Sequence, residues 1–143
     1  RENILRVIDQ VLLLNADVTY KVFEDSEDSF NKLPLLANRI SIYLNRQDAV
    51  LGISQFTKNI LTPRLGKNGP SDIDRYKDIV SIIDCTFVKD DLLNSLKYEV
   101  GHHWGYLSSS QVQNDIIQNL NGIDRNLITN RTKNTENIFT IIS

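Results

Sequence analysis

The sequence predicts an α/β fold with parallel strands flanked by helices, on two observations. Three short runs are apolar without alternation: around Val11–Leu14 in "QVLLLNADV", Ile40–Leu44 in "RISIYL", and Ile79–Val88 in "DIVSIIDCTFV". Strands apolar on both faces belong in a parallel sheet covered by helices. Segments of helical spacing and turn residues separate these runs. The expected order is strand–helix–strand–helix or loop–strand–loop–helix, joined by right-handed crossovers.

Between the first two strands, Ser26 followed by Glu27 and Asp28 suits a helix start, and Pro34 interrupts or re-aims that segment. After the second strand, Val50, Leu51, Ile53 and Phe56 recur at roughly helical spacing. "PRLGKNGPSD", Pro63–Asp72, carries two prolines and two glycines and reads as a long surface loop. "DDLLNSLKYEV" reads as a short helix or a collapsed loop. "SSSQVQNDIIQNLNG" is a stronger helix, with Ser110 as cap, Val112, Ile116, Ile117 and Leu120 on one face, and Gly122 as stop. Residues 126–143 read as a polar tail with an apolar end, an edge strand at most. Residues 1–125 then form the main unit.

At 143 residues the chain can bury a core, and the formal net charge of −2 gives no electrostatic reason to expect nucleic acid. No apolar run approaches the roughly 20 residues that cross a bilayer, and no secretory signal is visible, which makes the cytoplasm the default compartment. The lone cysteine, Cys85, excludes an internal disulfide framework and reads as an inert core residue. Asn130 opens a glycosylation sequon, a pattern common by chance. The sequence begins at Arg1 and contains no methionine, so a processed form, an excised domain or a fragment is expected. Three parallel strands would also leave unpaired apolar edges, so a missing N-terminal half or a partner chain is expected to cover the sheet edge.

Ligands of open α/β sheets bind beyond the carboxyl ends of the strands. The first strand ends in Asn15, Ala16 and Asp17. The second delivers Asp48, and the third leads towards His102 and His103, the only histidines. A carboxylate followed by an imidazole is the second half of a Ser–His–Asp machine, in the chain order of α/β-hydrolases. Each residue also has an ordinary role. Asp48 and Asp17 suit caps or turns, and a lone histidine is commonly a loop residue. Glu99 and His103, four apart, could share a helix face, but no third metal ligand has recognisable spacing. Trp104 and Tyr106 suit packing or an acyl pocket.

"RISIYLNRQDAVLGIS", "PRLGKNGP", "IIDCTF" and "GHHWGYLSSSQVQNDI" follow one another in an order that resembles the C-terminal half of an α/β-hydrolase family, the uncharacterised bacterial esterase/lipase-like group. In that family a "vtlYvs" strand runs into an Asp and a short apolar helix. An "RLG…G" loop and a "vDvs" strand come next, and then a histidine precedes an aromatic pair, a small residue and "V..D". The similarity runs from about Val11 to Asn121. It implies the C-terminal portion of an α/β-hydrolase fold, with Asp48 as triad acid and His103 as base. Tyr106 falls at the aromatic position, and Val112 and Asp115 fall at "V..D". The implied reaction is serine hydrolysis of a small ester or other acyl substrate, with no cofactor or metal. One departure stands out: no GxSxG elbow occurs, and Gly52-Ile53-Ser54-Gln55-Phe56 lacks the second glycine and follows the acid. The serine and oxyanion hole are expected upstream, and this chain alone is expected to be inactive. The competing expectation is a non-catalytic α/β module that associates with another chain.

Overall fold

The computed structural model describes residues 5–24, 29–57, 62–72, 74–88 and 105–142. Among them, β1 (Ile8–Leu14), β2 (Ala37–Leu44), β3 (Val80–Asp84), β4 (Arg131–Lys133) and β5 (Ile138–Ile141) form one sheet in the order β1-β2-β3-β5-β4. β1, β2, β3 and β5 run parallel, and β4 is antiparallel to β5. The helices are α1 (Leu33–Leu36, preceded by a 3-10 turn at Ser29–Lys32), α2 (Ala49–Thr57), α3 (Leu65–Asn68), α4 (Gly105–Ser108) and α5 (Ser110–Leu120). The α/β class is therefore present, with four parallel strands rather than three.

Continuous apolar strands line both faces, as their patterning requires. On the first face, Val11, Ile40 and Val80 lie in one row and Leu13, Ile42 and Ile82 in the next. Val22, Phe23 and Leu65 bury that face, with Phe30 and Leu33 packed beside them. On the second face Leu14, Tyr43, Ile83 and Phe139 share a row. There α5 covers the sheet, with Val112 packed among Tyr43, Ile83, Cys85 and Ile141. Described parts of the first two connections pack on one face of the sheet, and α5, in the connection after β3, packs on the other. Without that change of side, the Tyr43–Ile83–Phe139 row would lack a cover.

Several expectations are corrected here. Pro34 occupies the first turn of α1, where its missing N–H costs nothing, at the point where the 3-10 turn gives way to the α-helix. The N-cap of α5 is Ser109, which accepts from Val112 N–H at 3.4 Å; Ser110 is the first helical residue. Ile117 and Leu120 are 56% and 57% exposed, and the buried stripe is Val112, Asp115 and Asn119. The Pro63–Asp72 segment contains α3 and buries Arg64, Leu65, Gly66, Gly69 and Pro70. The expected polar tail supplies the β4–β5 hairpin, and β5 lies inside the sheet with β4 at its edge.

A polar stripe faces the sheet because this part of the sheet is polar too. Arg131 donates from Nε to Asp115 Oδ2 and from Nη2 to Asp115 Oδ1, both at 2.7 Å. Tyr43 Oη donates to Asp115 Oδ1 at 2.7 Å. One turn on, Asn119 Nδ2 donates to Ser41 Oγ at 2.7 Å and to Tyr43 Oη at 3.1 Å. Arg39 reaches the end of the helix, donating to Ile123 O at 2.7 Å. The Arg131 guanidinium also lies 5.3 Å from the centre of the Phe139 ring. The Asp115 and Arg131 side chains are 0% and 2% exposed, so each ion depends on the other: a buried charge without its partner is far costlier than the pair. Burial, followed by the negative charge of Asp115, pushes the Tyr43 phenol well above its ordinary range.

Asp115→Ala is expected to destabilise the fold by about 3–5 kcal/mol in urea unfolding, because Arg131 is left charged and unpaired. Tyr43 sets a pH dependence. Its folded pKa lies above the unfolded value near 10. Its contribution is therefore complete below about pH 10 and lost as pH rises further. Urea midpoints in wild type should fall above about pH 10. Tyr43→Phe should lessen that fall.

Candidate functional site

β1 and β2 are neighbours, so their carboxyl ends bring residues 33 apart in sequence into contact. Asn15 leaves β1 with φ 43°, in the left-handed region that Asn enters more readily than most residues. Its backbone N–H still donates to Tyr43 O at 3.1 Å. The Arg64-Leu65-Gly66 turn then comes back against the same spot. Leu65 N–H donates to Val18 O at 2.9 Å, and Gly66 N–H donates to Ala16 O at 3.0 Å. Gly66 O accepts from Asn45 N–H at 2.9 Å, so one glycine is bonded to both strand ends. A Cβ at Gly66 would lie 2.3 Å from the Asn15 carbonyl carbon and 2.4 Å from Ala16 N. Only glycine permits that approach.

Asp48, the expected acid, lies just beyond β2 and is fully buried. Its Oδ1 accepts from Leu51 N–H at 2.9 Å, which is the cap contact at the start of α2. Its Oδ2 accepts from Asn15 Nδ2 at 3.2 Å, which capping does not require. The ordinary role is thus present, together with a cross-strand tether. Asp17, the rival acid, belongs to a second cluster. Ser54 Oγ donates to it, 2.8 Å from both oxygens, and Arg64 Nε lies 3.4 Å from Oδ1. The serine of the glycine-poor look-alike is therefore a partner of Asp17.

His103, the expected base, lies outside the described residues, as do His102, Glu99 and Trp104. The motif positions downstream are described. Tyr106 on α4 packs beside the second-face cluster, and Val112 and Asp115 are buried. Asp115 accepts a hydrogen bond from the strand residue Tyr43 at 2.7 Å. Cys85 is buried, and burial, then the charges of Asp115 and Asp84, push its thiol well above the ordinary range. It is protonated at neutral pH and no nucleophile. Asn130, of the sequon, donates from Nδ2 to Gln111 O at 2.8 Å.

A small polar cleft lined by Asp9, Gln10, Asn38, Arg39 and Gly122 sits at the amino ends of β1 and β2. Parallel sheets bind ligands at the other end, so the Asn15–Asp48 cluster is the better candidate. Among the described residues no group of three or more His, Cys, Asp or Glu side chains could hold a metal ion, and no helix is long and apolar enough to cross a membrane. No protein-family model, curated protein or solved structure matches the chain.

Two stability measurements separate the parts of this cluster. Asp48→Ala is expected to cost about 0.5–2 kcal/mol, the range of a lost helix cap. Gly66→Ala is expected to cost about 3 kcal/mol or more, because backbone rather than a pliable side chain must yield. Thermal unfolding of both variants checks the order.

Proposed function

We propose that this chain is the C-terminal portion of an α/β-hydrolase domain and supplies the acid and base of a Ser-Asp-His triad acting on a small ester or other acyl substrate. The observation that carries this reading is Asp48, a fully buried carboxylate at the carboxyl end of a central parallel strand, held by donors on both oxygens. Support also comes from the order of motifs along the chain: Tyr43, Asp48, Arg64-Leu65-Gly66, His103, then Val112 and Asp115. In this mechanism a serine outside residues 1–143 attacks the acyl carbonyl. His103 takes the hydroxyl proton and returns it to the leaving group. Asp48 orients the imidazole and stabilises its protonated form. Ser54 is a poor candidate for the nucleophile, since its hydroxyl donates to Asp17 and its motif lacks the elbow glycine.

A second reading, association without catalysis, draws on the outer edge of β1. Val11, Leu12, Leu13 and Leu14 there are half-buried, and among the described residues β2 is the only strand paired with β1. Fluorophosphonate labelling of the full-length polypeptide carrying this chain, read by mass spectrometry, distinguishes the two. Hydrolysis predicts a labelled serine upstream of Arg1 and loss of labelling in His103→Ala. A folded protein that takes no label favours association.

A further inference from the structure

We propose that Asn15 is a positioning residue for Asp48, locked in place by the Arg64-Leu65-Gly66 turn; the role rests on the hydrolase reading above. An acid that orients an imidazole must have its own plane held, and the groups that hold it belong to the machinery. Leu51 N–H holds Asp48 Oδ1, as in any capped helix. The amide of Asn15 holds Oδ2 from the neighbouring strand and adds nothing to the cap. Among the described residues these two donors hold one oxygen each.

Asn15 is itself constrained to do this. It is 7% exposed, and its φ of 43° is a conformation that persists only when the surroundings over-determine it. Two contacts do so. Its N–H stays bonded to Tyr43 O, and Gly66 approaches so closely that a Cβ there would overlap the Asn15 Cα and carbonyl carbon. Gly66 also accepts from Asn45, three residues before Asp48. The turn that carries the "RLG" motif thus sets the distance between donor and acceptor. Strain, burial and a hydrogen bond to a carboxylate converge at the end of the sheet where ligands bind.

The test is the rate of fluorophosphonate labelling against pH in the full-length polypeptide, for wild type, Asn15→Gly, Asp48→Asn and the double variant. Glycine keeps the left-handed backbone open and removes only the amide. Asn15→Gly is expected to slow labelling about 10–100-fold, as loss of a supporting contact does. It should also shift the acid limb of the pH profile and add no further loss in the Asp48→Asn background. An equal loss in both backgrounds, or a wild-type rate and profile in Asn15→Gly, overturns the assignment. If the glycine variant unfolds, Asn15→Asp takes its place, since Asp also tolerates that backbone but cannot donate when ionised. Labelling unaffected by His103→Ala overturns the hydrolase reading, and the role of Asn15 with it. Labelling lost in His103→Ala and Asp48→Asn but intact in Asn15→Gly overturns Asn15 alone.

Discussion

Burying Asp115 and Arg131 side by side commits the second half of the chain to one arrangement. Neither ion could leave water alone, and the two-bond contact between them also fixes their orientation. Asp115 sits on α5 and Arg131 on β4, so the pair joins helix to hairpin. Tyr43 and Asn119 extend the contact to β2. Apolar burial draws α5 onto the sheet, and these bonds set its rotation. That is why Ile117 and Leu120, which an apolar count assigns to the core, face outwards.

The other end of the sheet is governed by a steric constraint. Gly66 lies against the backbone where β1 ends, closer than any side chain allows. Because of that approach, the ends of β1 and β2 share one turn, and Asn15 and Asp48 come within hydrogen-bonding distance. Packing, local backbone strain and the candidate chemistry are therefore linked through a residue with no side chain. The two constraints lie on different elements but meet in β2. Tyr43 bonds to Asp115 through its side chain and accepts the Asn15 N–H through its carbonyl.

Asp48, its cap contact and its cross-strand donor Asn15 lie together at the carboxyl ends of β1 and β2. The proposed link from Asp48 to an imidazole draws on motif order and on the α/β class.

The sequence by itself determined the α/β class, the three core strands, the α2 and α5 helices and the stop at Gly122. Those features are local: continuous apolar runs, helical spacing and a glycine with positive φ. It also singled out Asp48, because an aspartate just after a strand is conspicuous whether it caps or catalyses. The tertiary structure alone decided the rest, because each remaining feature depends on partners far apart in the chain. Arg131 reads as part of a polar tail until Asp115 is beside it. "PRLG" reads as a loop by its prolines and glycines, until the backbone of Asn15 shows why a glycine is needed. Asn15 looks like an ordinary strand end, and only its contact with Asp48 across two adjacent strands gives it a role. Hydrogen-bond partners chosen by register and close approach leave no periodic trace in sequence, and those are the contacts that build this site.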